Sequence, residues 1–477
     1  MTVSPSQLGG VKTWIENHVL QGQALTSELA AILLVYFVQG ILGLARLAVS
    51  FFLKDDLGLS PATVGALTGI ATLPWTIKPL FGFISDGLPI FGYRRRPYLM
   101  LSGILGAASW LALATVVQSG RAAIAAITLS SLAVAISDVI VDSLVVERAR
   151  KESLGTAGTL QSLAWGASAV GGVITAYLGG LLLEHVTTRT VFAITATFPL
   201  VVTVVSLLIT EAPITDRPTW GVLREQGSQL WQAISQKAIW MPALFLFLWQ
   251  ATPTADSAFF FFTTNELGFE PEFLGRVRLV TSLAALLGIW VFQRFLKTVP
   301  FRTIFAWSTV LSCLLGMSML LLVTHANRAI GIDDQWFSLG DSLVLTVMGE
   351  IAFMPVLVLS ARLCPPGVEA TLFALLMSIV NLAGLVSHEL GALLTHLLGV
   401  TETNFDPMWQ LVLLTNLSTL LPLPLLFLLP SSTAQTVHGS DPVGESLPLP
   451  TDEDIAFSAA SPHSVEIPPV PMGEPEP

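Results

Sequence analysis

Eight charged residues stand inside stretches that are otherwise apolar: Arg46, Lys78, Asp138, Asp142, Asp256, Arg276, Arg278 and Glu350. A charge at the centre of a bilayer costs about 2.5–3.5 kcal/mol on insertion scales, so charges kept there are functional candidates by default. Four are cations and four are acids, a set that can hold an organic anion, carry a proton or pair across a gate. Asp138 and Asp142 are four residues apart and share a helix face. Trp75 stands near Lys78, and Trp249 and Phe259 to Phe262 stand around Asp256. These aromatics, and Trp165, offer faces for a flat ring, although aromatics in such stretches more often pack. Gln39, Gln161, Gln250, Asn381 and His388 read as interhelix hydrogen-bond formers. The chain carries no Walker A, HExxH or GxSxG pattern and no Cys/His cluster; Cys313 and Cys364 are far apart in apolar contexts. We therefore expect no enzyme, no metal, no cofactor and no nucleic-acid partner. Energy would come from an ion gradient, and the protonatable acids point to protons.

The elements that must position these residues follow from composition. The chain has 477 residues, 53% hydrophobic and 12% charged, with a mean hydropathy of +0.72. A soluble core cannot bury so much apolar surface, which makes this an integral membrane protein. A helical span needs roughly 20 apolar residues. Twelve stretches qualify, at 30–52, 62–83, 98–117, 121–143, 156–183, 190–210, 239–262, 273–293, 302–324, 340–361, 368–398 and 408–429. The expected organisation is an N-terminal segment (1–29), a six-helix bundle (30–210), a polar Pro-bearing linker (211–238), a second six-helix bundle (239–430) and an acidic, Pro-rich disordered tail (431–477). Residues 1–28, which carry Lys12, Glu16 and Glu28, are expected to be neither a cleavable signal peptide nor a transit peptide.

Lys and Arg set the expected orientation. With both termini in the cytoplasm, fourteen of the 22 fall on the inside and four outside. At ~1.5 Å per residue, Arg46, Asp256, Arg276 and Arg278 then lie in the outer third, Lys78, Asp138 and Asp142 in the inner third, and Glu350 near the middle. Such clusters could gate alternating access, with Arg46, Asp138, Asp142 and Asp256 as gating or proton-carrying candidates. The competing reading is a set of static ion pairs, with Asp142 and Arg276 at the membrane interface.

The chain also repeats. LGLSPATVG (57–65) matches LGFEPEFLG (267–275) at an offset of 210, which lays Arg46 over Asp256. GTAGTLQSL (155–163) matches GVEATLFAL (367–375) at an offset of 212, which lays Gly172 and Gly179 over Gly384 and Gly391. Two similar halves in one orientation are the design of the major facilitator fold. The fold class expected is an all-α polytopic membrane protein with twelve transmembrane helices in two six-helix halves. In that fold spans 1, 4, 7 and 10 line the cavity, and five of the eight charges fall on them. GFISD…GYRRR (82–86, 92–96) matches the superfamily's loop between spans 2 and 3. Asp86 is expected to accept from a helix N-terminus of the opposite half, and Arg94 and Arg95 to pair with acids such as Glu147, forming a cytoplasmic latch.

Together QGILGLARLAVSFFLKDDLGLSPA, KPLFGFISDGLPIFGYRRRPY, DVIVDSLVVERAR, PTADSAFFFFTTNELGF and GEIAFMPVLVLSARLCPPGVEATLFALLMS resemble the folate–biopterin transporter family, over about 30–430. The resemblance implies proton-coupled uptake of folates and related pterins, in a cyanobacterial-type plasma membrane, by a chain expected to act as a monomer. A folate has a pterin edge that a carboxylate can grip and a glutamate dianion that Arg and Lys can pair. On that chemistry Asp256 or Glu350 would hold the pterin, Arg46, Arg278 or Lys78 the glutamate, and Asp138 the proton. Two alternatives stay open: another organic anion or an exported drug on the same fold, and a non-transporting membrane assembly factor.

Overall fold

The computed structural model describes residues 23–149, 154–213, 235–296, 299–362 and 369–429, with positions 20, 228 and 232. Most of the 211–238 linker and the whole 431–477 tail lie outside these residues. Every regular element described is helical; the one β-bridge is an isolated turn contact between Ile90 and Tyr93. Among the described residues, ten helices are long and apolar enough to cross a membrane. In chain order they supply span 1 (Ser27–Asp56), span 3 (Arg96–Thr115), span 4 (Gly120–Val145), span 5 (Leu163–His185), span 6 (Thr188–Leu208), span 8 (Pro271–Leu296), span 9 (Phe301–Val323), span 10 (Asp334–Val356), span 11 (Ala374–Leu397) and span 12 (Met408–Leu428).

Spans 2 and 7 are broken, which their apolar runs did not reveal. Span 2 consists of Pro61–Ala71, Leu73–Thr76 and Lys78–Gly87. Span 7 consists of Lys237–Gln250, Asp256–Phe261 and a π turn, Phe262–Glu266. Proline causes both breaks, because it has no N–H to give the carbonyl four residues earlier. Pro79 leaves the Trp75 carbonyl free, and Asn381 Nδ2 of span 11 donates to it at 3.2 Å. Pro253 leaves the Trp249 carbonyl free, and the Thr252 hydroxyl donates to it at 3.3 Å.

The repeat expected from the sequence is present at the level of single contacts. Span 1 ends in a π turn, Phe52–Asp56, and span 7 in its counterpart, 210 residues on. Each is followed by a left-handed glycine, Gly58 (φ +60°) and Gly268 (φ +66°). Spans 5 and 11 lie against the kinked spans 1 and 7 in matching ways. A Cβ on Gly179 would stand 3.0 Å from the Leu44 carbonyl oxygen, and one on Gly391 would stand 1.8 Å from that of Thr254. One residue further, Gly180 abuts Gly275 of span 8, and Ala392 abuts Gly65 of span 2. Hydroxyls repeat the pattern: Thr175 donates to the Gly40 carbonyl at 3.2 Å and Ser387 to that of Thr252 at 2.5 Å. Small residues here serve the close helix approach that packing within a membrane needs.

Two opposite ends of the bundle are named below by their contents. The glycine-turn end carries Gly58 and Gly268, and the arginine end carries Arg94 to Arg96.

Candidate functional site

Toward the arginine end, spans 1, 2 and 4 bring one network together. Lys78, the first residue after the span 2 break, pairs with Asp138 of span 4. Its ammonium lies 5.0 Å from the centre of the Trp75 ring, and the Trp75 indole N–H donates to Ser131 at 3.1 Å. One turn on from Asp138, Asp142 accepts from the hydroxyl of Tyr36 on span 1. The inner cluster expected from the sequence therefore forms, with Tyr36 as a member that the charge pattern alone did not reveal.

The matching place in the other half is built differently. Applying the two offsets, 210 and 212, Lys78 corresponds to Gly288 of span 8 and Asp138 to Glu350 of span 10. The two positions again touch: a Cβ on Gly288 would stand 2.7 Å from Glu350 Cβ. With glycine in place of lysine, Glu350 has no hydrogen-bond or ion-pair partner among the described residues.

Toward the glycine-turn end the two halves close on each other. Phe51 of span 1 and Phe260 of span 7 meet edge to face at 5.2 Å. Lys54 donates to Asn265 Oδ1 at 2.7 Å, and Asn265 donates to the Glu402 carbonyl at 2.9 Å. Tyr177 of span 5 donates to Glu272 of span 8 at 2.9 Å, and Glu272 also takes Arg276 at 2.7 Å. Arg276 is thereby occupied within its own helix, as an i,i+4 pair.

Below this seam lie Arg46, Asp256 and Arg278. Asp256 opens the helical segment that follows the span 7 break, one turn from Phe260, and is exposed. Arg46 is exposed and Arg278 half-buried. Span 5 packs against the backbone of both spans that carry these two arginines. Its consecutive glycines Gly179 and Gly180 touch Leu44, two residues before Arg46, and Gly275, one turn before Arg278. None of Arg46, Asp256, Arg278 and Glu350 has an ion-pair partner among the described residues, which leaves two cations and two acids without a countercharge there.

Trp249 is less available than its position beside Asp256 suggested. Its indole N–H donates to Thr309 at 3.0 Å and its ring packs on Phe305 at 5.3 Å, inside the second half. Two further acids, Asp341 of span 10 and Glu389 of span 11, shift the charge balance toward acid. Asp341 accepts from Ser318, and Glu389 faces Gly69 across the span 2–span 11 seam.

At the arginine end, Asp86 pairs at 2.9 Å with Arg95 of its own loop. Arg95 is buried and also donates to Ser85 at 3.2 Å. Glu211, just past span 6, accepts the backbone N–H groups of Arg94 (2.6 Å), Arg95 and Arg96 (both 3.1 Å) at the start of span 3. An acid at a helix N-terminus satisfies free donors and opposes the helix dipole. The side chain of Glu147 lies outside the described residues.

The sequence signature of the BT1 family matches residues 39–446. The chain belongs to the BT1 family. Among its relatives, it is 61% identical over 449 residues to a folate-biopterin transporter of Synechocystis sp., covering 93% of this chain and 91% of that one. It is 35% identical to the probable folate-biopterin transporter 2 of Arabidopsis thaliana (87% and 85% covered) and 33% identical to the putative folate transporter 2 of Plasmodium berghei (84% and 88% covered). Solved structures resemble this BT1-family chain in fold. The nucleoside transporter NupG superposes with a TM-score of 0.64 at 14% identity, covering 84% of this chain and 98% of its own. A D-xylose-proton symporter superposes with a TM-score of 0.62 at 14% identity, covering 86% and 100%. The BT1-family chain is thus an integral membrane protein of major facilitator architecture, and neither its relatives nor its structural neighbours are enzymes.

Proposed function

We propose that this protein is a secondary active transporter of folates and related pterins that works by alternating access and is driven by protons. The observation that carries the reading is the set of charges in spans 1, 7, 8 and 10 that have no ion-pair partner among the described residues: Arg46 and Arg278 suit the glutamate of a folate, and Asp256 and Glu350 suit its 2-amino-4-oxo pterin edge. The names of the relatives point to the same substrates. Glu350, which has no lysine beside it, is the acid best placed to exchange a proton, whereas Asp138 is engaged by Lys78. The arginine end faces the cytoplasm, with both termini, in line with the distribution of Lys and Arg. The seam at Phe51–Phe260 and Lys54–Asn265 is then the external gate in its closed position, and the Arg95–Asp86–Glu211 loop belongs to the internal one.

The test is uptake of labelled folic acid by cells expressing the full chain, against empty-vector cells, at acid and at neutral external pH. Saturable uptake that is stronger at acid pH is expected. Absence of uptake by a protein that reaches the membrane would overturn the reading. Equal competition by unrelated organic anions would reassign the substrate.

A further inference from the structure

The turn between spans 2 and 3 has a backbone that its sequence does not favour. Leu88 to Arg95 join Gly87, the last residue of span 2, to Arg96, the first of span 3. The segment is held firmly. Ile90 and Tyr93 exchange backbone hydrogen bonds at 3.0 and 2.9 Å, the Tyr98 hydroxyl donates to the Leu88 carbonyl at 2.7 Å, and Glu211 grips the backbone of Arg94 to Arg96. Both central residues of the turn are left-handed, Phe91 at φ +53° and Gly92 at φ +83°. Such a turn favours Asn-Gly, and a bulky side chain at its first central position is strained. Phe91 does not serve the core either: it is 91% exposed, and Leu88 on the same loop is 61% exposed. A residue that suits neither its backbone nor the interior points to a contact outside the chain.

The neighbours of Phe91 give the chemistry of that contact. Arg95 is turned inward to Asp86, but Arg94 and Arg96 on either side of it have no ion-pair partner among the described residues. The Arg96 guanidinium lies 5.7 Å from the centre of the Tyr93 ring. Two cations without countercharge therefore stand beside two exposed apolar side chains, on a short loop between two helices of a membrane bundle. That pairing matches the boundary between headgroups and acyl chains, where apolar side chains enter the lipid and arginines meet anionic phosphates. We propose that the turn is a membrane-surface anchor: Phe91 and Leu88 enter the headgroup–acyl boundary of the surrounding bilayer, and Arg94 and Arg96 take the headgroups of anionic lipids. The anchor ties the adjoining ends of spans 2 and 3 to the plane of the membrane. It is independent of which substrate the protein carries.

The experiment places the photoreactive p-benzoylphenylalanine at position 91 of the full chain, reconstituted in vesicles of phosphatidylcholine and phosphatidylglycerol. The same probe at exposed Gln335, at the glycine-turn end, sets the background. On irradiation the probe at 91 should join lipid well above that background. The adducts should be enriched roughly fivefold in phosphatidylglycerol over its share of the bilayer. Arg94→Gln together with Arg96→Gln should abolish the enrichment and leave lipid capture in place, since Glu211 binds only backbone there. Capture of the protein's own acidic tail in place of lipid, or no capture above background, would overturn the anchor, as would capture of the two lipids in proportion to their share. Phe91→Asn checks the premise without the probe. Asparagine suits the left-handed turn, so the melting temperature in detergent should hold or rise. A fall would show that Phe91 packs within the protein, and the anchor would be lost with that result.

Discussion

Asp138 and Glu350 occupy equivalent places, yet Asp138 has Lys78 beside it and Glu350 has only Gly288. This difference separates a charge that holds helices from one free to do work. Removing one member of a buried pair strands the other and costs about 3–5 kcal/mol, while removing both is often tolerated. Lys78→Met and Asp138→Asn should therefore each lower membrane abundance, and the double variant should recover it; a non-recovering double would mean the two act separately. Glu350→Gln should insert normally, because no cation is left stranded. Its uptake of folic acid should lose the difference between acid and neutral external pH. Retained pH dependence at equal abundance would move the proton site elsewhere, with Asp142 and its Tyr36 partner the next place to look.

At the scale of elements, the glycines divide by what they touch. Gly172 and Gly384 are equivalent and have nothing within 4 Å of a built Cβ, whereas Gly179 and Gly391 press on carbonyl oxygens of spans 1 and 7. Alanine at 172 or 384 should leave the melting temperature in detergent unchanged. Alanine at 391 should destabilise by about 1–3 kcal/mol or prevent insertion, since the clash is with backbone that cannot swing aside. Equal effects at 384 and 391 would refute the packing account. This symmetry was readable from the sequence, because aligned glycines and prolines survive where side chains have drifted. The charged positions were readable too, since a lone charge in an apolar run stands out. Their partners were not: Lys78 and Asp138 are 60 residues apart, and Arg94 and Glu211 are 117 apart. Tyr36 was not readable as a partner, because a tyrosine in an apolar run looks like packing. The breaks in spans 2 and 7 were hidden because proline is apolar enough not to interrupt a hydropathy run.

At the scale of the whole molecule, the contacts between halves at the glycine-turn end either open in every cycle or serve as permanent packing. The geometry favours opening. The Lys54–Asn265 bond joins two side chains at span ends, and beside it Phe51 meets Phe260, one turn from Asp256. A seam meant to be permanent would bury charges with partners, yet this one leaves them unpaired below it. Cysteines at 54 and 265, in a chain with Cys313 and Cys364 replaced, should be joined by a short thiol-reactive cross-linker. Joining them should stop folic acid uptake, and a reducible linker should restore it on cleavage. Folic acid added during the reaction should change the cross-linking rate, because a substrate can shift a two-state equilibrium only if it binds the two states unequally. Continued uptake by the cross-linked protein would show that the seam is static. The moving gate would then have to lie at the arginine end alone, where Glu211 and Arg95 hold the start of span 3, and a rocking of two rigid halves would give way to a local motion of that loop.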